Sequence, residues 1–200
     1  MSFSINHNAL TETQLGSEVI LNGRFLKVQR DLVQLPDGSQ ATREYIVHPG
    51  AVMVIAQMND GRFVMERQYR YPVQRVMIEF PAGKLDAGES CLACAQRELR
   101  EETGFTAREW ARAGVLRPVI SYSTEFIEVW FARGLTAGPQ KLDAGEFLEV
   151  FTASMDELLT WCAEGLATDA KTLSGLLWLQ NILSGRWALD WQSQSGPLSN

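Results

Sequence analysis

The feature that most constrains this 200-residue chain is a short helix with one acidic face. Residues 90–103 read as helical, with Ser90 placed to cap the first turn and Gly104 to stop the last. At about 100° per residue, Glu98, Glu101 and Glu102 fall within roughly 100° of arc, while Leu92 and Leu99 share a neighbouring face suited to burial. Like charges at this spacing repel, and acids in a last turn oppose the helix dipole. Glutamate-rich helix ends are commonly just solvated. This cluster becomes favourable when hard divalent cations sit among the carboxylates, and Mg²⁺ commonly bridges protein carboxylates to substrate phosphates.

Strands and helices alternate around this segment without a regular βαβ rhythm, which gives an α+β fold with a mixed sheet rather than a doubly wound one. Residues 1–16 read as a loosely ordered terminus and residues 17–47 as β structure, with a hairpin between residues 23–35 and 42–47 turning at Pro36-Asp37-Gly38-Ser39. Residues 51–56 form a buried strand, Asn59-Asp60-Gly61 a hairpin turn and residues 62–71 its partner. Further strands are predicted near residues 76–80, 112–116, 126–134 and 147–152. Ser154 and Glu157 make a capping box for a helix to about residue 164, and a last helix spans about residues 171–184. The domain reading is a β arm at 1–47, a main domain at 48–187 and a polar tail at 188–200.

Eighteen basic against 24 acidic residues leave a net charge of −6, with no Lys/Arg block to form a nucleic-acid footprint. An anionic substrate would need local arginines or bound cations. The sequence shows no apolar run near the ~20 residues that span a bilayer, and no signal-peptide pattern in residues 1–15, so a cytoplasmic setting is expected. Cys91 and Cys94 form a C-x-x-C, but Cys162 stands alone and the histidines are His7 and His48, so these cysteines read as packing residues rather than a zinc site. Trp178, Trp187 and Trp191 read as packing or dimer anchors, and His48 as a turn residue.

Residues 83–105 fit G-x5-E-x7-R-E-U-x-E-E-x-G-U, with U apolar, at Gly83, Glu89, Arg97, Glu98, Leu99, Glu101, Glu102, Gly104 and Phe105. In this the chain resembles the Nudix hydrolases. The resemblance implies an α/β/α sandwich in which the motif forms a loop–helix–loop holding about two or three Mg²⁺ or Mn²⁺ ions against a diphosphate. It makes Glu98 and Glu102 the first metal ligands, Glu101 a third and the carbonyl of Ala82 another. Glu89 and Arg97 become a supporting ion pair, and Gly83 and Gly104 sites of tight turns. The ions would neutralise the diphosphate, polarise its P–O bonds and acidify an attacking water.

The flanks narrow the substrate. Arg67-Gln68-Tyr69-Arg70-Tyr71-Pro72, then Ile78-Glu79-Phe80-Pro81-Ala82-Gly83-Lys84, and Pro118 thirteen residues beyond Phe105 are similar to the ADP-ribose pyrophosphatase and nucleotide-sugar branch. That likeness implies a small-molecule substrate, hydrolysis of ADP-ribose to AMP and ribose 5-phosphate, and a homodimer through the N-terminal arm. ADP-glucose or GDP-mannose are alternative substrates. A non-hydrolytic nucleotide sensor is disfavoured, because every motif glutamate is present. Arg70 is implied to contact the diphosphate or ribose phosphate, and Glu79 the adenosine or ribose side. A loop glutamate is implied as general base. Glu146 is the choice, with Ala144 standing where many relatives carry an extra acid, Glu125 a rival and Glu149 an ordinary strand-edge charge.

Overall fold

A computed structural model describes residues 9–193 of the protein. The described chain divides into two compact units. One contains the chain up to Pro49 together with Val119–Glu125; the other contains Gly50–Pro118 and the chain from Phe126 onward.

The first unit is built on three antiparallel strands, β1 (Thr13–Asn22), β2 (Lys27–Gln34) and β3 (Gln40–Ile46), in that order. The β2–β3 hairpin turns where the sequence placed it, with Gly38 at φ 86° and Ser39 donating its amide to Asp37 Oδ1 at 2.9 Å. β1 starts earlier than expected: it pairs with β2 from Thr13↔Gln34 to Asn22↔Lys27, inside the stretch read as a loose terminus. All ten of its residues are exposed, so it has no buried face and no alternation for a sequence pattern to show. Residues 1–8 of that terminus lie outside the described residues. Asp31 ties the sheet together, accepting from Tyr45 Oη at 2.9 Å and from Gln14 Nε2 at 2.9 Å.

The second unit is a mixed sheet between helices. Its elements are β4 (Ala51–Gln57), β5 (Phe63–Arg70), β6 (Arg75–Glu79), β7 (Ala82–Lys84), α1 (Cys91–Thr103), β8 (Phe105–Leu116), β9 (Ile127–Ala137), β10 (Leu148–Ala153), α2 (Met155–Ala163), α3 (Ala170–Leu183) and β11 (Gln192–Ser193). The main order is β10-β5-β4-β9-β8-β11. β4 and β9 run parallel, which makes the sheet mixed.

β4 is apolar at nearly every position because both of its faces are covered. Met53 and Ile55 pack into a core with Leu158 of α2 and Leu176 and Leu179 of α3. Val52, Val54 and Ala56 point the other way, onto Cys94, Ala95 and Leu99 of α1. The result is the α/β/α sandwich. Each such fully buried aliphatic side chain contributes about 1.5–3 kcal/mol. The helix starts follow their caps: Ser90 Oγ accepts from the Ala93 amide, Ser154 and Glu157 form the reciprocal capping box, and Asp169 caps α3.

β4 and β5 pair only at Gln57↔Phe63 and then part. Beyond that point β5 takes β6 as its partner and β4 takes β7. This split brings the short segment Phe80 to Lys84 into the sheet directly ahead of α1. The segment expected to be a polar tail begins with apolar packing instead: Leu189 and Trp191 lie against the core, and β11 pairs with Glu109 and Trp110 of β8. Arg133 stacks 4.0 Å over the Trp191 ring, which fixes this end. Residues 194–200 lie outside the described residues. No helix among the described residues is long and apolar enough to cross a membrane.

Candidate active site

The acidic helix face forms around Arg97. Its Nε and Nη2 donate to the two oxygens of Glu89, each at 2.9 Å, and Nη1 donates to Glu98 at 2.8 Å and Glu101 at 3.2 Å. Nη2 also reaches the Lys84 carbonyl at 3.1 Å, tying the loop to the helix. The Arg97 guanidinium, with the Asp86 amide, holds the Glu89 carboxyl down to about 2. Glu89, Glu98 and Glu101 in turn push Arg97 further up.

Gly104 ends α1 at φ 74°, and a Cβ there would meet the Gly138 carbonyl oxygen at 2.4 Å, so the turn requires glycine. Gly83 serves a different purpose from the tight turn expected of it, since its φ is not positive. It makes room: a Cβ at Gly83 would lie 1.9 Å from the Glu98 carboxylate.

The carboxylates behind this surface are costly to ionise. Burial pushes Glu98 up to about 7 even with Arg97 beside it. Glu102 is buried, and its carboxyl is raised well above the usual range by burial and then by repulsion from Glu66, Glu98 and Glu146. The Ala82 amide donates to Glu102 at 3.0 Å and offsets part of that cost. Glu146 enters from the loop ahead of β10, held by Gln68 Nε2 of β5 and by the Asp143 amide, each at 3.3 Å. Glu98, Glu101, Glu102, Glu146 and Ala82 are thus brought to one region.

Glu66 of β5 belongs to the same charge cluster and was not singled out in the sequence. It is 0% exposed, both carboxylate oxygens lack a hydrogen-bond partner among the described residues, and burial followed by Glu79 repulsion pushes it up to about 8. Its one sequence signal is a charge directly after the apolar run Phe63-Val64-Met65.

Arg70 and Glu79, expected as two separate substrate contacts, lie side by side. They bind each other in a bidentate pair, 2.7 Å and 2.9 Å. Glu79 is 3% exposed and also holds Lys171 of α3, which bonds Asp169 at 3.0 Å. A carboxylate buried this deeply needs such partners, and Arg70 and Lys171 keep it ionised below the usual carboxylate range despite the burial. Glu125 lies in the other unit, 4.0 Å from His48, and Glu149 pairs with Arg67 at 3.3 Å. Cys94 is buried in the α1 core, where burial pushes its thiol up.

The donor set suits a hard divalent cation, being all oxygen, with Glu102 buried and Glu98, Glu101, Glu146 and Ala82 half-buried. Among the described residues, no group of three or more His, Cys, Asp or Glu side chains is arranged to hold a metal ion as it stands. Glu98 and Glu101 are held by Arg97, and Glu102 by the Ala82 amide, so an arriving cation would compete with those bonds.

Comparison with known proteins covers most of the described chain. The NUDIX domain matches residues 47–174, and the chain belongs to the Nudix family. Residues 12–46 match the nucleoside diphosphate sugar hydrolase N-terminal domain. A Bacillus subtilis (strain 168) protein named ADP-ribose pyrophosphatase is 34% identical over 174 residues, covering 86% of this chain and 94% of its own. A Bacillus methanolicus protein named methanol dehydrogenase activator is 38% identical over 173 residues, covering 84% and 92%. A crystal structure of an ADP compounds hydrolase superposes with a TM-score of 0.80 at 23% identity, covering 92% of this chain and 98% of that one, which shows the shared fold.

Proposed function

We propose that this protein hydrolyses the diphosphate bond of ADP-ribose, giving AMP and ribose 5-phosphate, with Mg²⁺ or Mn²⁺ as cofactor. The observation that carries the reading is the cluster of Glu98 and Glu102 at the Gly83 opening, with too little bonded positive charge to balance it. The names of the relatives, which include ADP-ribose and ADP-sugar pyrophosphatases, support the same substrate class.

Glu98, Glu101, Glu102, Glu146 and the Ala82 carbonyl are the groups that would hold the cations. A bound divalent cation supplies charge neutralisation of the diphosphate and makes an attacking water more acidic. Arg97 acts as the positioning residue: its fork sets Glu98 and Glu101 on one side and anchors Glu89 and the Lys84 carbonyl on the other. Glu146 accepts the proton of the attacking water, being half-buried and held by Gln68. Arg70 binds phosphate oxygens with the edge that its bond to Glu79 does not use, since that bond takes only Nε and Nη2. Glu79 anchors Arg70 rather than touching the nucleoside.

The protein acts as a homodimer through its N-terminal arm. Val19, Leu21 and Phe25 are 68%, 47% and 72% exposed there, apolar surface of the kind that marks an interface. Its three cysteines are free, which suits the reducing cytoplasm.

Purified protein supplied in turn with ADP-ribose, ADP-glucose and GDP-mannose in Mg²⁺ tests the substrate assignment. Chromatography should identify AMP and ribose 5-phosphate from ADP-ribose as the fastest products. Faster turnover of either sugar nucleotide would move the assignment to that substrate, and no cleavage of any would refute hydrolysis.

A further inference from the structure

The sheet floor beneath α1 holds a carboxylate that the motif does not supply. Along β5, Phe63 and Met65 face one core and Val64 the other. Alternation therefore sets Glu66 on the Val64 face, the one covered by α1. An apolar side chain would ordinarily occupy such a position. Glu66 is instead fully buried with neither oxygen bonded, which costs far more than a paired charge.

The neighbouring cations are committed elsewhere. Arg70 and Lys171 bond Glu79, the residue opposite Glu66 across the β5–β6 pairing. Arg97 bonds Glu89, Glu98 and Glu101. Glu66 and Glu102 repel each other, and among the described residues neither has an ion-pair partner. Two carboxylates sharing one low-dielectric region are balanced by one divalent cation.

We propose that Glu66 is an additional carboxylate of the cation site, gripping from the sheet side an ion that Glu102 grips from the helix. The inference rests on the cation-dependent reading above and adds a residue from outside the helical motif. It also accounts for the orphaned oxygens, which no bond among the described residues explains. The site thereby gains a carboxylate floor that a bound divalent cation would keep ionised.

Mn²⁺ titration of the full-length protein without nucleotide, followed by the paramagnetic resonance signal of free Mn²⁺, tests this directly. Wild type, Glu66→Gln, Glu66→Val and Glu102→Gln are compared, with thermal melts in EDTA to check folding. Wild type should bind Mn²⁺, and both Glu66 variants should lose a site or bind about tenfold or more weakly while melting at or above the wild-type temperature. Equal binding by wild type and the Glu66 variants, with Glu102→Gln impaired, would remove Glu66 from the site and leave the proposed reaction standing. Wild type that binds no Mn²⁺ would overturn both. If neither Glu66 variant folded, the carboxylate would be structural, and the proposal would fail on that ground.

Discussion

The carboxylate of Glu98 lies where a side chain on Gly83 would begin, 1.9 Å from the position of its Cβ. β7 and α1 therefore fit together only because one residue has no side chain. Gly83→Ala must drive the Glu98 carboxylate off its position or shift β7. We expect AMP release from ADP-ribose to fall by roughly a hundredfold or more, with about 1–3 kcal/mol lost from unfolding in urea. Wild-type turnover by a folded Gly83→Ala protein would show that the position of Glu98 does not matter.

The Glu89–Arg97 fork should show itself in acid. Arg97 holds Glu89 at about 2, below the ~4.3 of an unfolded glutamate. Between these values the unfolded chain binds a proton that the native chain does not, so stability rises with pH. The contribution is present above about pH 4.3 and lost as pH falls toward 2. Urea unfolding of wild type and Glu89→Gln across that window should give a stability gap that narrows with acidification. A gap independent of pH would mean that the fork does not set the Glu89 charge.

Glu79 is the buried centre of a second ion-pair network, bonded by Arg70 and Lys171. Glu79→Ala leaves Lys171 buried with Asp169 as its remaining partner and should cost about 3 kcal/mol. Lys171→Met should cost less, because Glu79 keeps Arg70. The double variant should lose less than the sum of the two, since one interaction is removed twice. Strict additivity in urea unfolding would show that the two side chains are not coupled.

What the sequence made legible follows from where side chains meet a pattern. Ser90 and Gly104 bound α1 because capping chemistry is local, and the motif spacing fixed which glutamates lie on one face. β4 showed as a strand because both faces are buried. The start of β1, residues 13–16, did not, because all its residues are exposed and its order comes from backbone pairing with β2. β7 is three residues long, too short for any periodicity. Glu66 was hidden for a related reason: one acid at the end of Phe63-Val64-Met65 looks like a strand emerging into solvent, and only the burial under α1 reveals otherwise. The pairing of Arg70 with Glu79 joins residues nine apart across β5 and β6, a register that a propensity reading does not supply.

AMP release from ADP-ribose by wild type and Glu102→Gln, each in Mg²⁺ and in EDTA, tests the central claim most directly. Turnover should appear for wild type in Mg²⁺, vanish in EDTA and drop by about a hundredfold or more in Glu102→Gln, with both proteins melting cooperatively. Wild-type turnover unchanged by EDTA, or Glu102→Gln matching wild type at saturating Mg²⁺, would contradict it.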